Sequence, residues 1–176
     1  MTINLRSVAL VAACVGLAFV GLGACDSKVV APPDPLGPRY QATLAEGIAF
    51  AKLGYPTFVA GVYGLSVGEA WGRWTDGDVA VVKFSQPLPK RFAVELSGGA
   101  VAGNIGKPIK LRVGPVEREV VFKDGPFENQ STQAADFTNE IGSDTLTILI
   151  PSAVVPAGPD GRRLGLALTA LRVVEK

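Results

Sequence analysis

The sequence predicts an all-β domain, an antiparallel two-sheet β-sandwich with jelly-roll-like connectivity. Three observations lead there. Apolar residues recur with period two along most of the chain after Tyr40, turn dipeptides interrupt these runs at short intervals, and a helical period is nearly absent. Some eight short strands in that pattern need two packed sheets to bury their apolar faces.

Composition bounds the rest. The chain has 176 residues, with 17 Lys+Arg against 16 Asp+Glu, 48% hydrophobic residues and 7% aromatic ones. That length fits one domain, and the apolar fraction suffices for a real core. The absence of histidine excludes a Ser-His-Asp triad, a Cys-His dyad and any His-ligated metal or haem. A formal charge of +1 gives no electrostatic reason to expect nucleic acid as a partner.

Met1 to Ala24 reads as an export signal. Arg6 supplies a positive start, and Val8 to Gly23 is an apolar stretch without a charge, shorter than the ~20 residues a membrane-spanning helix needs. Leu22-Gly23-Ala24-Cys25 fits the lipobox of bacterial lipoproteins, whose cysteine thiol takes up diacylglycerol. The expectation is therefore a leader over 1–24, an acylated Cys25 and a membrane-lipid partner, with the protein facing the periplasm. Which membrane holds it stays open, although Asp26 resembles an inner-membrane retention signal of enteric bacteria. Cys14 leaves with the leader, so no thiol remains for a disulfide, a metal or catalysis. Residues 25–39 carry Pro32, Pro33, Pro35 and Pro38 and read as an extended tether.

The β-domain is expected over 40–176. Gln41 to Lys52 hints at a helix, weakened by Gly47. Strands are expected at Thr57 to Tyr63, Val79 to Phe84, Phe92 to Leu96, Ile109 to Val113, Glu119 to Phe122 and Leu146 to Ile150. A last strand holds Leu164, Leu166 and Leu168, then Leu171 and Val173; the change of phase predicts a β-bulge near Thr169-Ala170. Asp76-Gly77, Gly98-Gly99, Gly114-Pro115, Asp124-Gly125 and Asp160-Gly161 read as turns.

The segment Gly64 to Gly77, GLSVGEAWGRWTDG, holds both tryptophans of the chain beside Glu69 and Arg73. An indole can stack on the apolar face of a pyranose, while guanidinium and carboxylate groups can bond hydroxyls, or in the arginine's case a phosphate. Glu69, Trp71, Arg73 and Trp74 are thus candidate ligand-binding residues, with Trp71 and Arg73 sharing one face of an extended chain and Trp74 the other. A purely structural role for the same four residues, including a Glu69–Arg73 ion pair, stays open. Two weaker readings concern acidic residues. Glu69 with Asp76 or Asp78 could form a glycosidase pair, and Asp76, Asp78 and Asp124 could hold calcium. Asp76-Gly77-Asp78 is more simply a turn. Lys90, Arg91, Lys107, Lys110 and Arg112 could form a basic surface for anionic glycan or lipid headgroups, or stand solvated on alternating strands. No catalytic residue, metal site or cofactor is expected.

GLSVGEAWGRWTDG is followed in order by LPKRFAVEL (Leu88 to Leu96), NIGKPIKLRVG (Asn104 to Gly114) and RRLGLALTALRV (Arg162 to Val173). Together these pieces resemble the C-terminal β-sandwich domain, of unknown function, of bacterial envelope transferases. Those include phosphoglycerol transferases that decorate osmoregulated periplasmic glucans and some membrane glycosyltransferases. The metal-dependent catalytic domain of the phosphoglycerol transferases has no counterpart here. The resemblance therefore implies an accessory, non-catalytic role: binding a glycan or glycolipid, or else docking onto a membrane transferase as a scaffold.

Overall fold

A computed structural model describes residues 36–127, 130–156 and 161–176. The leader, Cys25, the segment up to Pro35 and Asp160 of the Asp160-Gly161 turn lie outside the described residues. Twelve strands occur among those described. They are β1 (Arg39–Tyr40), β2 (Ile48–Ala49), β3 (Tyr55–Pro56), β4 (Val59–Tyr63), β5 (Arg73–Asp76) and β6 (Val79–Phe84). The second half holds β7 (Arg91–Ala100), β8 (Pro108–Val113), β9 (Val116–Val121), β10 (Ser131–Thr138), β11 (Thr145–Leu149) and β12 (Leu164–Glu175).

Two antiparallel sheets form the sandwich. One runs β10-β7-β12-β2, with β5 also paired to β12; the other runs β4-β6-β11-β8-β9. From β9 onward the chain alternates between the sheets at every strand. The inward residues of both meet in one core: Phe92, Val94, Leu96, Leu166 and Leu168 from the first sheet, and Val82, Ile109, Leu111, Leu146 and Ile148 from the second. Each fully buried aliphatic side chain contributes about 1.5–3 kcal/mol. Such a core is what the period-two runs required.

Several expectations change in detail. Gln41 to Lys52 forms no helix. Thr43 and Glu46 instead close a turn reciprocally, with the Thr43 amide donating to Glu46 Oε2 at 2.7 Å and the Glu46 amide donating to Thr43 Oγ1 at 3.2 Å. The turn ends at Gly47, and Ile48 and Phe50 enter the core. Gly98-Gly99 is no turn, because β7 continues to Ala100. Glycine is needed there for close approach: a Cβ on Gly98 (φ 153°) would lie 2.0 Å from the Ala167 carbonyl oxygen of the neighbouring strand. Strand β10 was not foreseen, since only Ala135 and Phe137 turn inward from an otherwise polar edge. By contrast, Gly114-Pro115 does close the β8–β9 hairpin, and the register of β12 against β7 shifts between Leu168 and Ala170 as expected.

A second irregularity shapes the chemistry nearby. Between Leu164 and Ala167 the register of β12 against β5 shifts, and the Leu166 amide donates to the buried Thr75 hydroxyl at 2.8 Å. This side chain replaces a missing ladder bond. Leu164 and Ala167 then pack with Trp74, outside the main core. Thr75→Val keeps the shape and strands that amide, so unfolding in urea should show a loss of about 2 kcal/mol. A loss under about 0.5 kcal/mol would deny the hydroxyl this role.

Candidate functional site

The segment between Leu65 and Thr75 doubles back on itself. Leu65 bridges Thr75, and Glu69 and Gly72 exchange both backbone hydrogen bonds, at 2.8 and 3.1 Å, around Ala70 and Trp71. The turn sits directly on β12, where a Cβ on Gly72 would lie 2.2 Å from the Leu168 carbonyl oxygen. Only glycine permits that contact. Its consequence is to raise Trp71 over β5 and bring its ring beside Trp74.

The rings of Trp71 and Trp74 meet edge to face, with centroids 4.8 Å apart. Phe127 joins them at 5.2 Å from Trp71 and 5.7 Å from Trp74, again edge to face. It arrives on the loop after β9, which rests on Gly99: a Cβ there would lie 2.3 Å from the Gly125 carbonyl oxygen. Trp74 is buried against Leu164 and Ala167, Trp71 is half-buried, and Phe127 is 58% exposed. Edge-to-face pairs contribute about 0.5–1.5 kcal/mol beyond area burial, so the three rings form a stiff unit with two members reaching the surface.

Glu69 fixes the outer indole. Trp71 Nε1 donates to Glu69 Oε2 at 2.9 Å, and Arg162 Nη1 donates to Glu69 Oε1 at 3.2 Å. Both charged side chains remain about one-third exposed, at 31% for Arg162 and 34% for Glu69. A partly wet cation and carboxylate thus border an aromatic surface, an arrangement suited to a polyhydroxylated ligand with an apolar face.

Arg73 takes another course. It does not share a face with Trp71; it is buried, 7% exposed, on the opposite side of β5. Its Nη1 donates to the Ser66 carbonyl at 3.1 Å, and its guanidinium carbon lies 4.7 Å from the Tyr55 ring centroid. No carboxylate pairs with it among the described residues, and its Nε has no hydrogen-bond partner. The Glu69–Arg73 ion pair is therefore not formed; Glu69 pairs with Arg162. A desolvated cation over an aromatic face gains about 2 kcal/mol, and here the Tyr55 ring stands where a carboxylate ordinarily would.

Two of the other acidic candidates, Asp76 and Asp78, are engaged by neighbouring groups. Asp76 Oδ1 accepts the Arg163 amide at 3.0 Å, and Asp78 accepts from Arg163 Nη2 and the Ala153 amide. The Ala153 amide and then the Arg163 guanidinium hold the Asp78 carboxyl below the usual range. Of the basic candidates, Lys110 and Arg112 both pair with Glu117 across the β8–β9 hairpin. Among the described residues no three acidic, cysteine or histidine side chains converge as a metal site. Two residues of the aromatic surface escaped the sequence reading. Phe127 lies in a turn with Pro126, just after the expected Asp124-Gly125 turn and without periodicity to mark it, and Arg162 lies 93 residues from its partner Glu69.

Burial pushes the Tyr55 phenol above the ordinary tyrosine value, and the Arg73 charge pulls it part of the way back. The folded chain holds this proton more tightly than the unfolded chain does. Stability should therefore be fully present below about pH 10 and fall as pH rises through the folded value. Burial raises the Tyr40 phenol as well, so an alkaline absorbance titration should show late tyrosinate formation that Tyr55→Phe diminishes by one phenol's share; an unchanged titration in that variant would contradict the arrangement.

The chain has relatives among known proteins. It is 32% identical over 146 residues to phosphoglycerol transferase I of Escherichia coli O139:H28 (strain E24377A / ETEC), covering 78% of this chain and 18% of that protein. The same values hold for phosphoglycerol transferase I of Escherichia coli strain SMS-3-5 / SECEC and of Shigella boydii serotype 18 (strain CDC 3083-94 / BS512). The chain thus matches a part, 18% of the length, of each of these larger proteins. No solved structure matches it. Residues 35–175 match one family model, and the chain belongs to that family, described as a domain of unknown function, DUF7024.

Proposed function

We propose that this protein is a lipid-anchored envelope protein whose sandwich binds a glycan or glycolipid without transforming it, as an accessory to glucan or polysaccharide modification. The observation that carries this reading is the surface formed by Trp71 and Phe127 beside the Glu69–Arg162 pair. Sugar recognition needs an apolar ring face next to fixed donors and acceptors. The aromatic rings beside the Glu69–Arg162 pair support this reading, and the indole is already held by its hydrogen bond to Glu69. Little ordering would be needed on binding, which favours affinity.

The four residues first singled out divide in this proposal. Trp71 and Glu69 would touch the ligand, joined by Phe127 and Arg162. Trp74 and Arg73 are buried and would act as positioning residues, Trp74 beneath the rings and Arg73 beneath Tyr55. Anchoring rests on the lipobox at Cys25, which would hold the domain at the periplasmic face of a membrane. Similarity to a part of phosphoglycerol transferases favours work beside such an enzyme, with a glucan that carries or receives phosphoglycerol as ligand. The scaffold alternative needs no sugar, and the exposure of the Trp71–Phe127 surface favours ligand contact over it.

Calorimetric titration with periplasmic glucan should give roughly micromolar binding. Trp71→Ala and Phe127→Ala should each weaken it by about tenfold or more, the loss expected on removing an aromatic stacking surface. Phe127→Ala is the cleaner variant, because that ring is largely exposed and its loss should spare the fold. Absence of heat with the native chain, or unchanged affinity in both variants, would remove the glycan reading.

A further inference from the structure

The edge strand β9 of one sheet meets the edge strand β10 of the other along a seam, and the end of that seam holds a cavity of about 350 Å³. Its walls carry Arg91 from the start of β7, Arg118 from β9, Asp136 from β10, and Lys176 just beyond β12. Phe92, Phe137 and Thr138 complete the lining, the two rings stacked with centroids 5.6 Å apart. Three cationic side chains thus face one acidic side chain, a local surplus of cationic groups in a chain that is nearly neutral overall.

Their hydrogen bonds leave that surplus available. Arg118 reaches across the seam, donating from Nε to the Asp136 carbonyl at 3.1 Å and from Nη1 to the Glu117 carbonyl at 2.9 Å. Both are backbone acceptors, so the guanidinium is positioned without being neutralised, and its Nη2 has no partner among the described residues. Lys176 takes Asp136 Oδ1 at 2.6 Å. Arg91 makes no side-chain hydrogen bond or ion pair among the described residues. The nearby Glu117 carboxylate is engaged by Lys110 and Arg112.

We infer that this seam is an anion site for a phosphoryl group, separate from the aromatic surface. Guanidinium forks match the oxygens of a phosphate bidentately, and Arg118 is already braced in place by two backbone carbonyls. A phosphate complements the cationic side chains, and the volume admits one headgroup-sized molecule. The phosphoryl group can come from a soluble phosphate or from a phospholipid headgroup.

The test is a ¹⁵N NMR titration of the full-length protein with inorganic phosphate and, separately, with dihexanoylphosphatidylglycerol against dihexanoylphosphatidylcholine. Saturable shifts around Arg91, Arg118 and Asp136 are expected with phosphate, phosphatidylglycerol or both, and the responding probe identifies the source. Arg91→Gln should weaken that binding about tenfold. Arg91 is exposed and makes no such contact, so this variant should keep the fold, whereas Arg118→Gln gives up two hydrogen bonds. Trp71→Ala should leave the binding unchanged, which separates this site from glycan binding. No saturable shift with either anion, an equal response to phosphatidylcholine, or full affinity in Arg91→Gln would overturn the inference.

Discussion

The arrangement depends above all on how β12 is shared. One flank pairs with β7 along nearly all its length; the other pairs first with β5 and then with β2. The switch between those partners is where Gly72 lies against the Leu168 carbonyl. A side chain there would push the Glu69–Gly72 turn away from the sheet. With glycine, the turn lies flat, Trp71 stands beside Trp74, and Glu69 comes within reach of Arg162. Close backbone contact, rather than any attraction specific to the tryptophans, therefore brings the aromatic surface into being.

The two faces of β5 separate two kinds of chemistry. Trp74 looks outward onto Leu164 and Ala167, while Arg73 and Thr75 look inward. Thr75 completes the hydrogen bonding of an irregular strand, and Arg73 packs beneath Tyr55 with a carbonyl and a ring as partners. Both inward residues are polar ones spent on holding the strand. Removing either leaves a buried group unsatisfied, a cost that falls on stability before it reaches any surface. The outward face, by contrast, keeps polar groups half-wet around exposed rings.

Much of the fold was legible because a period-two pattern reports which side of a strand is buried. Val82, Leu111, Ile148 and Leu168 announce the two inner faces in this way, and the phase change near Thr169 announced the bulge. Strand β10 was hidden because an edge strand with one half-buried face needs few apolar residues. Gly98-Gly99 misled because glycine pairs mark close approach as well as turns, and sequence alone does not distinguish them. At the candidate site, residue types were informative and directions were not. Arg73 follows Gly72, whose unusual backbone breaks the alternation that would have placed it beside Trp71. Phe127 and Arg162 reach the site only through tertiary folding, so local spacing carries no sign of them.

The central claim is that Trp71, held by Glu69 and flanked by Phe127, is the surface a glycan meets. The most direct measurement follows the two indole N–H resonances of the ¹⁵N-labelled protein as periplasmic glucan is added. The account predicts a large saturable shift of the Trp71 signal, whose N–H is bonded to Glu69, and a smaller one for buried Trp74. Two static indole signals, with glucan-induced shifts confined to residues elsewhere on the sandwich, would contradict it.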